Sequence, residues 1–93
     1  MNKDLLKQTL VDEGFVHIYE WRDEPDTEYP AHAHQGAVSM YILEGGITFW
    51  FEGEEIELKQ GDRFDAPLGK EHTAKVGSGG CTFLVGEMIE GYS

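Results

Sequence analysis

The chain has 93 residues, enough for one compact domain and too few for two of ordinary size. Its formal charge is −11, from 18 acidic and 7 basic residues, so phosphate backbones and anionic lipid surfaces are repelled and neither nucleic acid nor membrane is an expected partner. One cysteine, Cys81, leaves no intrachain disulfide, and the polar first 14 residues carry no apolar run, so a cytoplasmic location is expected.

Residues 3–13 read as a short amphipathic helix, with Leu5, Leu6, Leu10 and Val11 at helical spacing and Gly14 as its stop. So short a helix needs support, and packing against the body of the domain supplies it. From Phe15 to Trp21 aromatic and β-branched residues take over, which indicates a strand. Residues 22–30 hold two prolines among acidic residues and read as a loop. Beyond Ala37 short β-like runs alternate with turn signals. Residues 38–43 precede Glu44-Gly45-Gly46, and residues 47–51 precede Glu52-Gly53-Glu54. Ile56 and Leu58 precede Gln60-Gly61-Asp62, residues 64–66 precede Pro67-Leu68-Gly69, and residues 72–76 precede Gly77-Ser78-Gly79-Gly80. Residues 81–88 form the last strand. Many short strands between glycine turns indicate an all-β sandwich or closed barrel. The acidic group Glu52, Glu54, Glu55 and Glu57 reads as a solvated hairpin face.

Two of the four histidines, His32 and His34, stand two residues apart. On an extended strand such residues project to one face, so both imidazoles could reach one metal ion. Gly45 follows His34 after eleven positions, and a second run holds Gly61, Pro67, Gly69 and His72. Over residues 29–76 this arrangement resembles the two motifs of the cupin superfamily. The first motif is His-x-His, a glutamate four residues on and a glycine seven beyond. The second is Gly, five residues, Pro-x-Gly, two residues and His.

The resemblance implies a small cupin β-barrel, a double-stranded β-helix or jelly roll of the RmlC-like kind. It would occupy residues 1–93 as a single domain, with the helix at 3–13 and the barrel at about 15–90. It also implies one divalent transition metal held by His32, His34 and His72, and a homodimer, since small cupins usually pair. The consecutive Phe49, Trp50 and Phe51 agree with a partner surface, because at least one of them must face outward.

Val38 stands where the motif has its glutamate. Three neutral imidazoles leave a bound ion its full charge and favour zinc, iron, nickel or copper over magnesium or calcium, with manganese also among the candidate metals. Gln35, in the turn after His34, is the candidate weak fourth ligand. Val38, Met40, Phe49 and Phe83 are candidate lining residues for a pocket beside the metal. A zinc site of this type activates water, whereas an iron site binds substrate with dioxygen, as in the cupin-type thiol dioxygenases that also lack the glutamate. The leading reading is a metal-dependent dioxygenase or isomerase acting on a small anionic molecule. Its alternative is a non-catalytic small-molecule-binding or structural homodimeric cupin, and catalytic residues are not assigned. His17 reads as a packed or surface residue, and Cys81 as a small buried residue of the barrel wall.

Overall fold

A computed structural model describes residues 2–33, 36–66 and 69–88. Helix α1 (Lys3–Asp12) is followed by strands β1 (His17–Asp23), β2 (Glu28–His32), β3 (Val38–Phe51), β4 (Glu54–Lys59), β5 (Arg63–Asp65) and β6 (His72–Glu87). Two strands are much longer than the runs read from sequence. The glycine segments at 44–46 and 77–80 do not reverse the chain. The strands bend there and continue, so β3 spans 14 residues and β6 spans 16. The segment read as a loop at 22–30 is also mostly strand, since β1 runs to Asp23 and β2 begins at Glu28. Pro30 is accommodated because β2 pairs with β6 alone, and a strand edge needs no N–H from it.

Bending lets β3 and β6 belong to two facing layers. In one layer, β6 residues 81–87 lie between β1 and the first half of β3, with β5 beyond. In the other, β6 residues 72–76 lie between β2 and the second half of β3, with β4 beyond. The pairings are antiparallel, and together they give the expected jelly-roll barrel. At the bend, Gly45 pairs with Cys81 and Ile47 pairs with Val76, so residues 77–80 bulge opposite Gly46. Gly45 and Gly80 both take positive φ, 78° and 82°. A Cβ at Gly45 would lie 2.0 Å from the Gly80 carbonyl oxygen, so the strands cross there only because a side chain is missing.

Strand alternation sorts the side chains. Val38, Ile42, Ile47, Phe49, Leu58, Phe64, Ala74, Val76, Cys81, Phe83 and Val85 are buried between the layers and form the main core. The β1/β5 layer is covered on its outer face too, where Leu10 and Phe15 pack on Leu84 with Ile18, Tyr41 and Leu43. That explains why residues 38–43 and 83–85 read as nearly continuous apolar runs, whereas β4 alternates with charge. Full burial of Leu10 and Phe15 contributes about 1.5–3 kcal/mol each.

The helix buries less than its spacing suggested. Leu10 is buried, but Leu5 and Val11 are exposed. Asn2 caps the helix, its side-chain oxygen accepting from the Asp4 and Leu5 amides at 3.0 and 3.3 Å. At the other end Glu13 accepts from both terminal nitrogens of Arg63, at 2.6 and 2.9 Å, which ties the helix to β5.

Candidate functional site

Four sheet-to-sheet passages gather at one end of the barrel: the β1–β2 link, the bends of β3 and β6, and the β4–β5 turn. The β1–β2 link lies on the β6 bend, with the Asp26 amide donating to the Gly77 carbonyl (3.1 Å) and the Val76 amide to that of Thr27 (2.8 Å). The β4–β5 turn is held to Ile42 by two backbone bonds of 2.9 Å. Asp23 is buried at this end and accepts from the Trp21 indole N–H at 2.9 Å and from the Tyr29 hydroxyl.

The opposite end carries the polar groups. An irregularity in β2 between Tyr29 and His32 sets His32 directly across from His72 on β6. Their ring centroids are 4.4 Å apart, with ring planes at 62°. His32 Nδ1 lies 2.8 Å from the Pro30 carbonyl oxygen. A carbonyl only accepts, so Nδ1 carries the proton and the neutral ring keeps its lone pair on Nε2. His72 is buried, with the edges of Phe49 and Phe64 at 5.7 and 6.4 Å between centroids. Burial lowers the His72 pKa, and His32 beside it acts the same way whenever that ring is protonated, against a backbone hydrogen bond with Lys70. A neutral imidazole, the form that donates to a metal, is thereby favoured.

A cavity of about 380 Å³ opens beside these rings. Val38, Met40, Phe49 and Phe83 line it, as do Tyr19, Trp21, Tyr29, Ile47 and Val85. Its one carboxylate among the described residues is Glu87, which the sequence reading overlooked. Glu87 is paired with His17 on one side and Val38 on the other. Directly opposed residues share a face, so the carboxylate stands across one strand from the position where the cupin motif would place its own. The signal was present in the alternation Cys81, Phe83, Val85, Glu87, which continues one face to the strand end. Glu87 accepts from the Tyr19 hydroxyl at 2.7 Å, and its other oxygen is 3.4 Å from His17 Nδ1. Burial, then the hydrogen bond to Glu87, pushes the Tyr19 phenol up to about 12, so Tyr19 remains a donor.

The remaining candidates have their places. His34 and Gln35 lie outside the described residues, as do Pro67 and Leu68 of the second motif. His17 is exposed and stacks at a tilt on Tyr19, 4.8 Å between centroids. Cys81 is fully buried, and burial pushes its thiol up to about 12.

The profile of the cupin domain matches residues 19–85. The chain belongs to the cupin family. This cupin is 36% identical over 53 residues to the quercetin 2,3-dioxygenase of Bacillus subtilis (strain 168), a match covering 57% of the chain and only 15% of that enzyme. Among solved structures it resembles an RmlC-like cupin from Shewanella frigidimarina NCIMB 400, with a TM-score of 0.68 at 22% identity over 84% of this chain and 70% of that one. The polyketide cyclase RemF from Streptomyces resistomycificus superposes with a TM-score of 0.66 at 25% identity, over 81% of this cupin and 56% of the cyclase. Among the described residues no helix is long and apolar enough to cross a membrane.

Proposed function

We propose that this cupin is a metal-dependent enzyme, a dioxygenase or isomerase, that binds a small molecule in the cavity beside His32 and His72. The observation that carries the reading is the pair of imidazoles set face to edge across β2 and β6 on the wall of that cavity. The donor set suits a transition metal: two neutral nitrogen ligands, one with its tautomer fixed by Pro30 and the other kept neutral by burial. His32, His34 and His72 would hold the ion, which when bound supplies Lewis-acid or redox chemistry. The likeness to a dioxygenase and a cyclase supports an enzymatic role.

What the chain itself does is bind and orient. The aromatic and aliphatic walls strip water from a ligand, and Tyr19, Trp21, Tyr29, Phe49 and Phe83 offer ring faces and edges to a planar one. An anionic ligand, expected from the sequence, finds neither lysine nor arginine among the described lining residues. A cation held at His32 and His72 would supply the countercharge instead.

Elemental analysis of untagged protein, purified without chelators or nickel resin, tests the reading beside His72→Ala. Near-stoichiometric first-row transition metal is expected in the wild type and its loss in the variant. A wild-type protein that takes up no metal on reconstitution overturns it.

A further inference from the structure

We infer that the cavity takes a two-ended ligand, with an anionic oxygen at one end going to the cation at His32 and His72 and a hydroxyl at the other donating to Glu87. The inference deepens the reading above and rests on it, since the metal is one of the two poles.

Its basis is the placement of the polar groups on opposite walls. The cavity lies between the two layers, and its lining divides between them. His32 and His72 belong to the layer built from β2 and the first part of β6. Glu87 belongs to the facing layer, at the end of β6, between His17 of β1 and Val38 of β3. Packed sheets stand about 10 Å apart. Among the described residues no three His, Cys, Asp or Glu side chains gather as a metal-holding group, so Glu87 is a pole separate from the two imidazoles. Between the poles the walls are apolar, with Val38, Met40, Phe83 and Val85 on one side and Ile47 and Phe49 on the other.

The charges make the two poles unlike. A divalent cation held by neutral imidazoles keeps its charge and draws an anion. The Glu87 carboxylate repels an anion and draws a donor. A ligand bearing both groups is therefore oriented, because the reversed pose sets two carboxylates together and leaves the cation facing a neutral hydroxyl. Glu87 is also prepared for its part. Two oxygens offer about four acceptor sites. The Tyr19 hydroxyl uses one at 2.7 Å, and His17 Nδ1 lies 3.4 Å from the other oxygen. These neighbours hold the group from the β1 side and leave acceptor capacity on it, so a ligand hydroxyl pays little further ordering cost.

Protein loaded with cobalt(II), whose visible absorption reports ligands joining the ion, tests this with benzoate and 4-hydroxybenzoate at neutral pH. Both probes carry the same carboxylate, so attraction to the cation and repulsion by Glu87 are common to them and cancel in the ratio of their affinities. Only the para hydroxyl differs, and it cannot reach an ion that its own carboxylate holds. The wild type should bind 4-hydroxybenzoate about tenfold more tightly than benzoate, the scale of a hydrogen bond to a charged acceptor. Both probes should change the cobalt absorption. Glu87→Gln, which keeps the shape and removes the charge, should shrink the ratio to about threefold or less, and Glu87→Leu, which removes the acceptor, to about one. The cobalt absorption of the benzoate complex should match the wild type in both variants, because Glu87 holds the ligand and not the ion. A ratio near one in the wild type, a ratio unchanged in both variants, or binding that leaves the cobalt absorption unmoved would each overturn the inference and leave the metal reading standing. Failure to take up cobalt or any other first-row transition metal, read by elemental analysis, overturns both.

Discussion

The two ends of the barrel solve different problems with the same strands. At the bend end, four chain passages crowd together, backbone lies on backbone at Gly45 and Gly80, and the buried carboxylate of Asp23 is engaged by Trp21 and Tyr29. At the far end, His32, His72 and Glu87 face a cavity instead of a filled core. The lesson is a division of labour. One end spends its contacts on closing the barrel, which leaves the other free to hold polar groups that contribute little to stability.

The sharpest way to break this contrast is Gly45→Ala. The added methyl meets a backbone oxygen that cannot rotate away, at a φ that side chains rarely adopt, and the expected loss is about 3–5 kcal/mol or failure to fold. Urea unfolding measures it, and a variant within about 1 kcal/mol of wild type would refute the close crossing. Next comes Asp23→Ala, which removes a buried acceptor from the part-buried Trp21 and Tyr29 donors and should cost about 1–2 kcal/mol.

Alkaline pH probes the same end more gently. In the fold the Cys81 thiol is pushed from 9.0 up to about 12, and the Tyr19 phenol of the opposite end also rises to about 12. Below pH 9 both states hold these protons, and the groups add no pH dependence. Between about 9 and 12 the unfolded chain ionises while the fold does not, so stability falls as pH rises. Melting temperature should drop over that window, and less steeply in Cys81→Ala. An equal slope in both proteins would count against the buried thiol. The smallest stability effect is expected at the far end, where His72→Ala should cost about 1 kcal/mol while abolishing metal uptake. A loss as large as that of Gly45→Ala would dissolve the contrast.

Much of the fold was legible because apolar alternation survives in the sequence: residues 38–43, 47–51, 56–58 and 81–87 each lie in strands. What escaped was continuity. Glu44-Gly45-Gly46 and Gly77-Ser78-Gly79-Gly80 have turn composition, and a glycine that lets a chain reverse looks the same as one that lets a strand bend past another. The difference lies in partners distant in sequence, Gly45 with Cys81 and Ile47 with Val76. Glu87 was missed for the same reason, since its relation to Val38 exists only through strand register. His32 and His72 could be paired in advance because a motif linked them. The helix was located, but its spacing did not show that only Leu10 is fully buried and Leu6 partly so, while Leu5 and Val11 stay exposed.

The position of β6 at the centre of both layers also sets an order of events during synthesis. Its partners β1, β2 and β3 precede it in the chain, and its pairings span as far as His17 with Glu87. Neither β1 nor β2 can join β3 until the ribosome has delivered β6 to lie between them, so productive folding waits for that strand and proceeds by non-local contacts, which makes it slow and cooperative. The candidate site is completed in the same step, because one strand brings His72 to His32 at its start and Glu87 to Val38 at its end.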